Sequence, residues 1–141
     1  MATLPSGLLE HIDDEEDLAR FLTQSSHFNA TATKRVAFMP EPIRNETSVS
    51  RHGRELLEDL WRLGEAAAGG RALYGAALVK AKSVRKIGLD AVADEPPPRH
   101  AVIRGWPVMA DDPQEHKSKL IELALELARA AGPPLLRRVQ S

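Results

Sequence analysis

Three groups of basic residues hold the side chains best able to do chemistry in this chain. Arg51, His52, Gly53 and Arg54 form the first, Lys80, Lys82, Arg85 and Lys86 the second, and Arg99, His100 and Arg104 the third. An arginine fork matches the oxygens of phosphate and carboxylate groups, and lysine offers a compact charge for the same purpose. Histidine is the usual general acid or base near neutral pH, and an arginine beside it can stabilise developing negative charge. The chemistry to expect is therefore binding of an anion or an acidic partner by Arg51, Arg54, Lys82, Arg85, Lys86, Arg99 and Arg104. His100 is the candidate catalytic group.

Position limits what these side chains can do together. Arg51 and Arg54 flank the expected start of a helix, where free backbone N–H groups and the positive dipole end also favour an anion. Their structural alternative is to solvate that helix entrance. Lys82, Arg85 and Lys86 share one face if their segment is helical, although a run of charge is more often a solvated surface. On a strand, His100 and Arg104 point the same way but stand about 13 Å apart. They cannot grip one small group alone, so a site built on His100 must recruit Arg51, Arg54 or another element across the sheet. A histidine at a strand end otherwise serves as a hydrogen-bonding residue of the fold.

Other chemistries find no residues. The chain has no cysteine, which removes disulfides, thiolate catalysis and zinc–thiolate sites. It has no glycine-rich phosphate loop, no histidine pair at helical metal-binding spacing and no nucleophile elbow. No metal and no cofactor is expected. A net charge of −1 and 4% aromatic residues disfavour nucleic acid as a partner.

The elements that would position these residues follow from pattern and punctuation. The acidic run from Asp13 to Asp17 followed by Leu18, Phe21 and Leu22 predicts a first helix, its acids facing the positive dipole end. Val36, Ala37, Phe38 and Met39 before Pro40 predict an edge strand, and residues 47–51 a second strand. Leu56, Leu60, Leu63 and Ala67 recur at helical spacing until Gly69 and Gly70. Strands are expected over 73–79, 89–93 and 100–104, with a single helical turn at 82–87. Pro96, Pro97 and Pro98 make a rigid elbow between the last two strands, which a short connection makes antiparallel neighbours. Asp112, Pro113 and Glu115 open a final helix that Gly132 and Pro133 end.

At 141 residues the chain fits one domain, 1–141, with flexible ends over 1–10 and 133–141. The expected fold class is α+β: a small mixed or antiparallel sheet of four to five strands, covered on one side by about three helices. The first residues lack the basic and apolar regions of a signal peptide, and no apolar stretch reaches membrane-spanning length. A cytoplasmic location, away from membranes, is the expectation.

Residues 47–51, Leu60-Trp61-Arg62-Leu63-Gly64-Glu65, Tyr74-Gly75-Ala76-Ala77, Gly88-Leu89 and the stretch 94–107 together resemble a family of small bacterial proteins. Its most specific segment is Pro96-Pro97-Pro98-Arg99-His100-Ala101 with Gly105-Trp106-Pro107, and the likeness spans most of residues 20–131. The resemblance implies a bacterial, cytoplasmic protein and brings no activity or ligand with it. The functional expectation is an accessory protein that docks onto a larger protein partner without catalysis of its own. The alternative is a small enzyme or nucleotide-binding protein that holds phosphate with Arg51 and Arg54 and uses His100 as acid or base.

Overall fold

The computed structural model describes residues 2–52, 57–109 and 111–137. Six strands and three α-helices are found among them. In chain order they are β1 (Asp17–Leu22), β2 (Thr47–Arg51), α1 (Leu57–Ala68), β3 (Gly75–Lys80), α2 (Ala81–Lys86), β4 (Asp90–Ala93), β5 (His100–Arg104), α3 (Pro113–Ala131) and β6 (Leu135–Leu136). The strands form one sheet in the order β4-β5-β2-β1-β3-β6, and each neighbouring pair is antiparallel. The α+β class is as expected, with one strand more than the upper bound. No helix among the described residues is long and apolar enough to cross a membrane.

The sheet is covered on both faces, not one. Residues directly opposite in a ladder share a face, so Leu18 lies with Val79 and Arg51, and Ala19 lies with Leu78 and Ser50. On the first face α3 sets Ala124, Leu127 and Ala128 among Leu18, Leu22, Val79 and Ile103. On the second, α1 sets Leu60 against Ala19 and Ala76, with Trp61 and Phe21 at the margin. Gly64 allows that close approach, since a Cβ there would stand 2.7 Å from Leu73 Cδ2 and 2.8 Å from Phe21 Cδ1.

Covering both faces explains the largest departure from the sequence reading. Residues 17–22 form a strand where a helix is expected. As an interior strand, β1 is apolar toward both sides: Leu18 and Leu22 point to α3, Ala19 and Phe21 to α1. Such a strand loses the alternation that identifies strands, and its short apolar run fits a helical stripe equally well. Residues 36–39 are corrected too. Arg35–Phe38 is a 3-10 turn, with Ala37 and Phe38 buried and Val36 exposed.

Of the ends expected to be flexible, residues 1 and 138–141 lie outside the described residues, and the described parts make defined contacts. Thr3 bridges Leu9, and the Ser6 amide and hydroxyl both donate to Glu95. At the other end Leu135 and Leu136 pair with Ala76 and Gly75, and Arg137 binds Glu65. Gly75 permits this pairing: a Cβ on it would stand 2.3 Å from the Leu135 carbonyl oxygen.

Candidate functional site

The first basic group is a structural joint. Arg51 ends β2 on the face packed by α3 and is 2% exposed. Its guanidinium grips the Glu16 carboxylate with two bonds, Nε to Oε1 and Nη2 to Oε2, each 2.9 Å. Nη1 donates to the Leu9 carbonyl at 2.6 Å and Nη2 to that of His11 at 3.4 Å. The residue proposed to hold an anion thus holds the folded-back chain start and an internal carboxylate. Gly53 and Arg54 lie outside the described residues. His52, beside them, has a buried Nδ1 without a hydrogen-bond partner in the structure.

Lys80, Lys82 and Arg85 of the second group pair with the same acidic run. Arg85 binds Asp14 at 2.7 Å and Asp90 at 3.0 Å, and Lys82 binds Glu15 at 2.9 Å. Lys80 lies 3.6 Å from Asp17 and 3.7 Å from Glu15. Pairing with Lys82, and more weakly Lys80, holds the Glu15 carboxyl below its usual range. Lys86 is exposed at the end of α2. The acids expected to open a helix instead run beside α2 and the end of β3, where they offset its charges. Arg104 is exposed on β5 opposite Asp90 in register.

The third group closes the β4–β5 hairpin. His100 Nδ1 lies 2.9 Å from the Asp94 carbonyl oxygen and 3.2 Å from Asp94 Oδ2. Both are acceptors, so Nδ1 carries the proton. Arg99 has a positive φ of 66° and donates Nε to the Arg51 carbonyl at 2.9 Å and Nη2 to the His52 carbonyl at 3.2 Å. Arg51 and Arg99 are therefore neighbours, but His100 is not part of their cluster. It pairs with Ser50 and faces the α1 side, whereas Arg51, the next residue on β2, faces α3. The sheet separates the His100 imidazole from the Arg51 guanidinium, while Arg54, the other arginine the acid–base reading could use, lies outside the described residues.

Glu95 braces the proline elbow by accepting from the Ser6 amide, the Ser6 hydroxyl and the Arg99 amide. Partial burial pushes its pKa up, but these bonds and the Arg51 charge outweigh burial, and the net shift is downward from 4.5. A carboxylate with a depressed folded value adds stability above its unfolded pKa and loses it as pH falls through the folded value. Acidification below about pH 4.5 should therefore narrow the stability gap between the native chain and Glu95→Gln. Urea midpoints of both proteins from neutral to acid pH check this. A gap constant with pH would show that the Glu95 charge contributes nothing.

The cavity that His100 does line lies elsewhere. The β1–β2 ladder extends only over Leu18–Ala19 against Ser50–Arg51, after which the strands part. A half-open cavity of about 470 Å³ occupies this opening, lined by Arg20 and Phe21 of β1, Ser48 and Ser50 of β2, His100, and Arg71 just beyond α1. Arg20 donates Nε to the Ala37 carbonyl at 2.7 Å and Nη1 to the Ser48 carbonyl at 2.9 Å. Arg71 donates Nε to the Ala68 carbonyl at 2.8 Å, satisfying the end of α1. Sequence reasoning passed over both arginines. Arg20 had a signal, a lone charge inside an apolar run, which must find polar partners if the run is buried. Arg71 had none, because a basic residue after a helix end is commonplace.

Among the described residues no group of three or more metal-ligating side chains gathers. No family model matches the sequence, and neither a curated protein nor a solved structure matches it.

Proposed function

We propose that this chain is a small bacterial, cytoplasmic accessory protein that docks onto a larger protein and performs no catalysis itself. The observation that carries this reading is an exposed apolar surface on two neighbouring segments. Ile43 is 92% exposed, Val108 79% and Met109 64%. Asn45 donates its side-chain amide to the Trp106 carbonyl at 3.0 Å and lies 3.5 Å from that of Pro107, so the turn bearing Ile43 is tied to the segment bearing Val108 and Met109. Exposed large apolar side chains held on a fixed base are suited to a partner offering an apolar groove.

Docking through the basic clusters, the route suggested by sequence, has less support. Arg51, Lys82 and Arg85 are engaged by Glu16, Glu15 and Asp14 within the chain. The acid–base alternative has less support again, since Arg51 and His100 face opposite sides of the sheet.

Affinity purification from the native cell tests the reading when run beside an Ile43→Glu/Met109→Glu variant. The native chain should recover one larger protein in stoichiometric amount, and the variant should lose it while staying folded. Equal recovery by both, or recovery of no partner, would sink the proposal.

A further inference from the structure

From the cavity between β1 and β2 we infer a binding site for a phosphoryl group on a small molecule, held by Arg20 and Arg71. Among the described residues, no carboxylate forms an ion pair with either guanidinium, unlike Arg51 and Arg85. Their known bonds go to backbone carbonyls, which occupy N–H groups but do not cancel the charge. Arg20, which lines the cavity, uses Nε and Nη1 in this way, leaving Nη2 without such a bond among the described residues. Arg71 uses Nε and Nη2, leaving Nη1.

The two charges feel one another. Burial, followed by repulsion from Arg71, lowers the pKa of Arg20, and no carboxylate offsets that. Two cations kept close at the wall of one cavity are relieved by an anion placed between them. The carboxylates lining the same cavity are Glu41 and Glu46. Glu41 is turned to its own loop, accepting from the amides of Ile43 and Arg44 at 2.9 and 2.7 Å. Glu46 forms no ion pair among the described residues.

Geometry favours phosphoryl over carboxylate. Arg20 extends from the α3 side of β1 and Arg71 arrives from the end of α1, so two guanidinium groups approach from different elements. A carboxylate is satisfied by one fork, whereas a tetrahedral phosphoryl group offers three acceptor oxygens to several donors. Ser48 and Ser50 of β2 line the same cavity, and His100 stands opposite Ser50 in register. The volume of about 470 Å³ suits a small molecule. The site involves none of the residues of the proposed docking surface.

Calorimetric titration of the full chain with inorganic phosphate tests the inference. Saturable one-to-one binding is expected, weakened at least tenfold by Arg71→Gln and unchanged by Ile43→Glu/Met109→Glu. His27 supplies a second readout, since burial and the Arg20 charge together depress its pKa. Bound phosphate should raise that pKa, seen by NMR. Should Arg71→Gln fail to fold, Ser48→Ala at an exposed strand position carries the same comparison. Absence of saturable binding at millimolar phosphate, or equal binding by the variants, overturns the inference.

Discussion

Replacing Arg51 with Met is expected to cost about 3–5 kcal/mol of stability, because it leaves a largely desolvated carboxylate without its partner. Arg51 is 2% exposed and the Glu16 side chain 16%. The loss also strips the Leu9 and His11 carbonyls of their donor, and so releases the chain start from the end of β2. A conservative Arg51→Lys change keeps the charge but not the two-bond grip on Glu16, and should fall between native and Met. The decisive variant is Arg51→Met/Glu16→Met. Removing both charges removes the orphaned carboxylate, so the double change should be less damaging than Arg51→Met alone. Urea midpoints for the four proteins read this directly. If Arg51→Met unfolds within about 0.5 kcal/mol of native, the range of an ordinary surface change, the joint is not structural and an anion-binding role for Arg51 returns.

That joint shows where a sequence speaks and where it falls silent. The final helix was legible to the residue because its signals are local: Asp112 accepts from the Gln114 and Glu115 amides, and Pro113 occupies the first helical position. The β4–β5 hairpin was equally legible, since a short rigid elbow leaves its flanking strands few other ways to pair. The pairing of acids with bases was not. Glu16 and Arg51 are 35 positions apart, and Asp14 and Arg85 are 71 apart. Nothing in either stretch specifies the other. An acidic run before an apolar run has the local signature of a helix start whether or not a basic cluster lies beside it in space. Reading residues 17–22 as a helix and reading the basic clusters as free surfaces were therefore one error. Once those residues become an interior strand, the acids preceding it fall beside α2 and Arg51.

The same logic bears on the candidate sites. Clusters of charge conspicuous in sequence turned out to be largely matched by opposite charge within the fold. Arg20 and Arg71, inconspicuous and far apart in the chain, line one cavity, and neither forms an ion pair with a carboxylate among the described residues. Conspicuous charge that the fold itself uses is a poor guide to binding, whereas charge left unmatched in a cavity has a ligand-sized reason to be there.

Trp106→Ala is expected to cost about 3–5 kcal/mol, the range for removing a large buried aromatic side chain. Trp106 is 3% exposed within the core that α3 covers, and its indole Nε1 donates to the Ile103 carbonyl at 3.1 Å. Gly105 makes the turn before it, with φ at +94°, so the chain leaves β5 and folds the indole back over the strand. Trp106→Phe keeps most of the packing and loses the donor, and should cost about 1–3 kcal/mol. The position also supports the surface to which docking is assigned, because Asn45 binds the Trp106 carbonyl and so ties the Ile43 turn to Val108 and Met109. Stability and partner recovery should consequently separate across this region. Trp106→Ala should lose both, while Ile43→Glu/Met109→Glu should lose partner recovery with stability held within about 0.5 kcal/mol. Thermal or urea unfolding beside purification distinguishes these outcomes. If Trp106→Ala left stability unchanged and still captured the partner, neither the anchoring of this segment nor the surface built on it could stand.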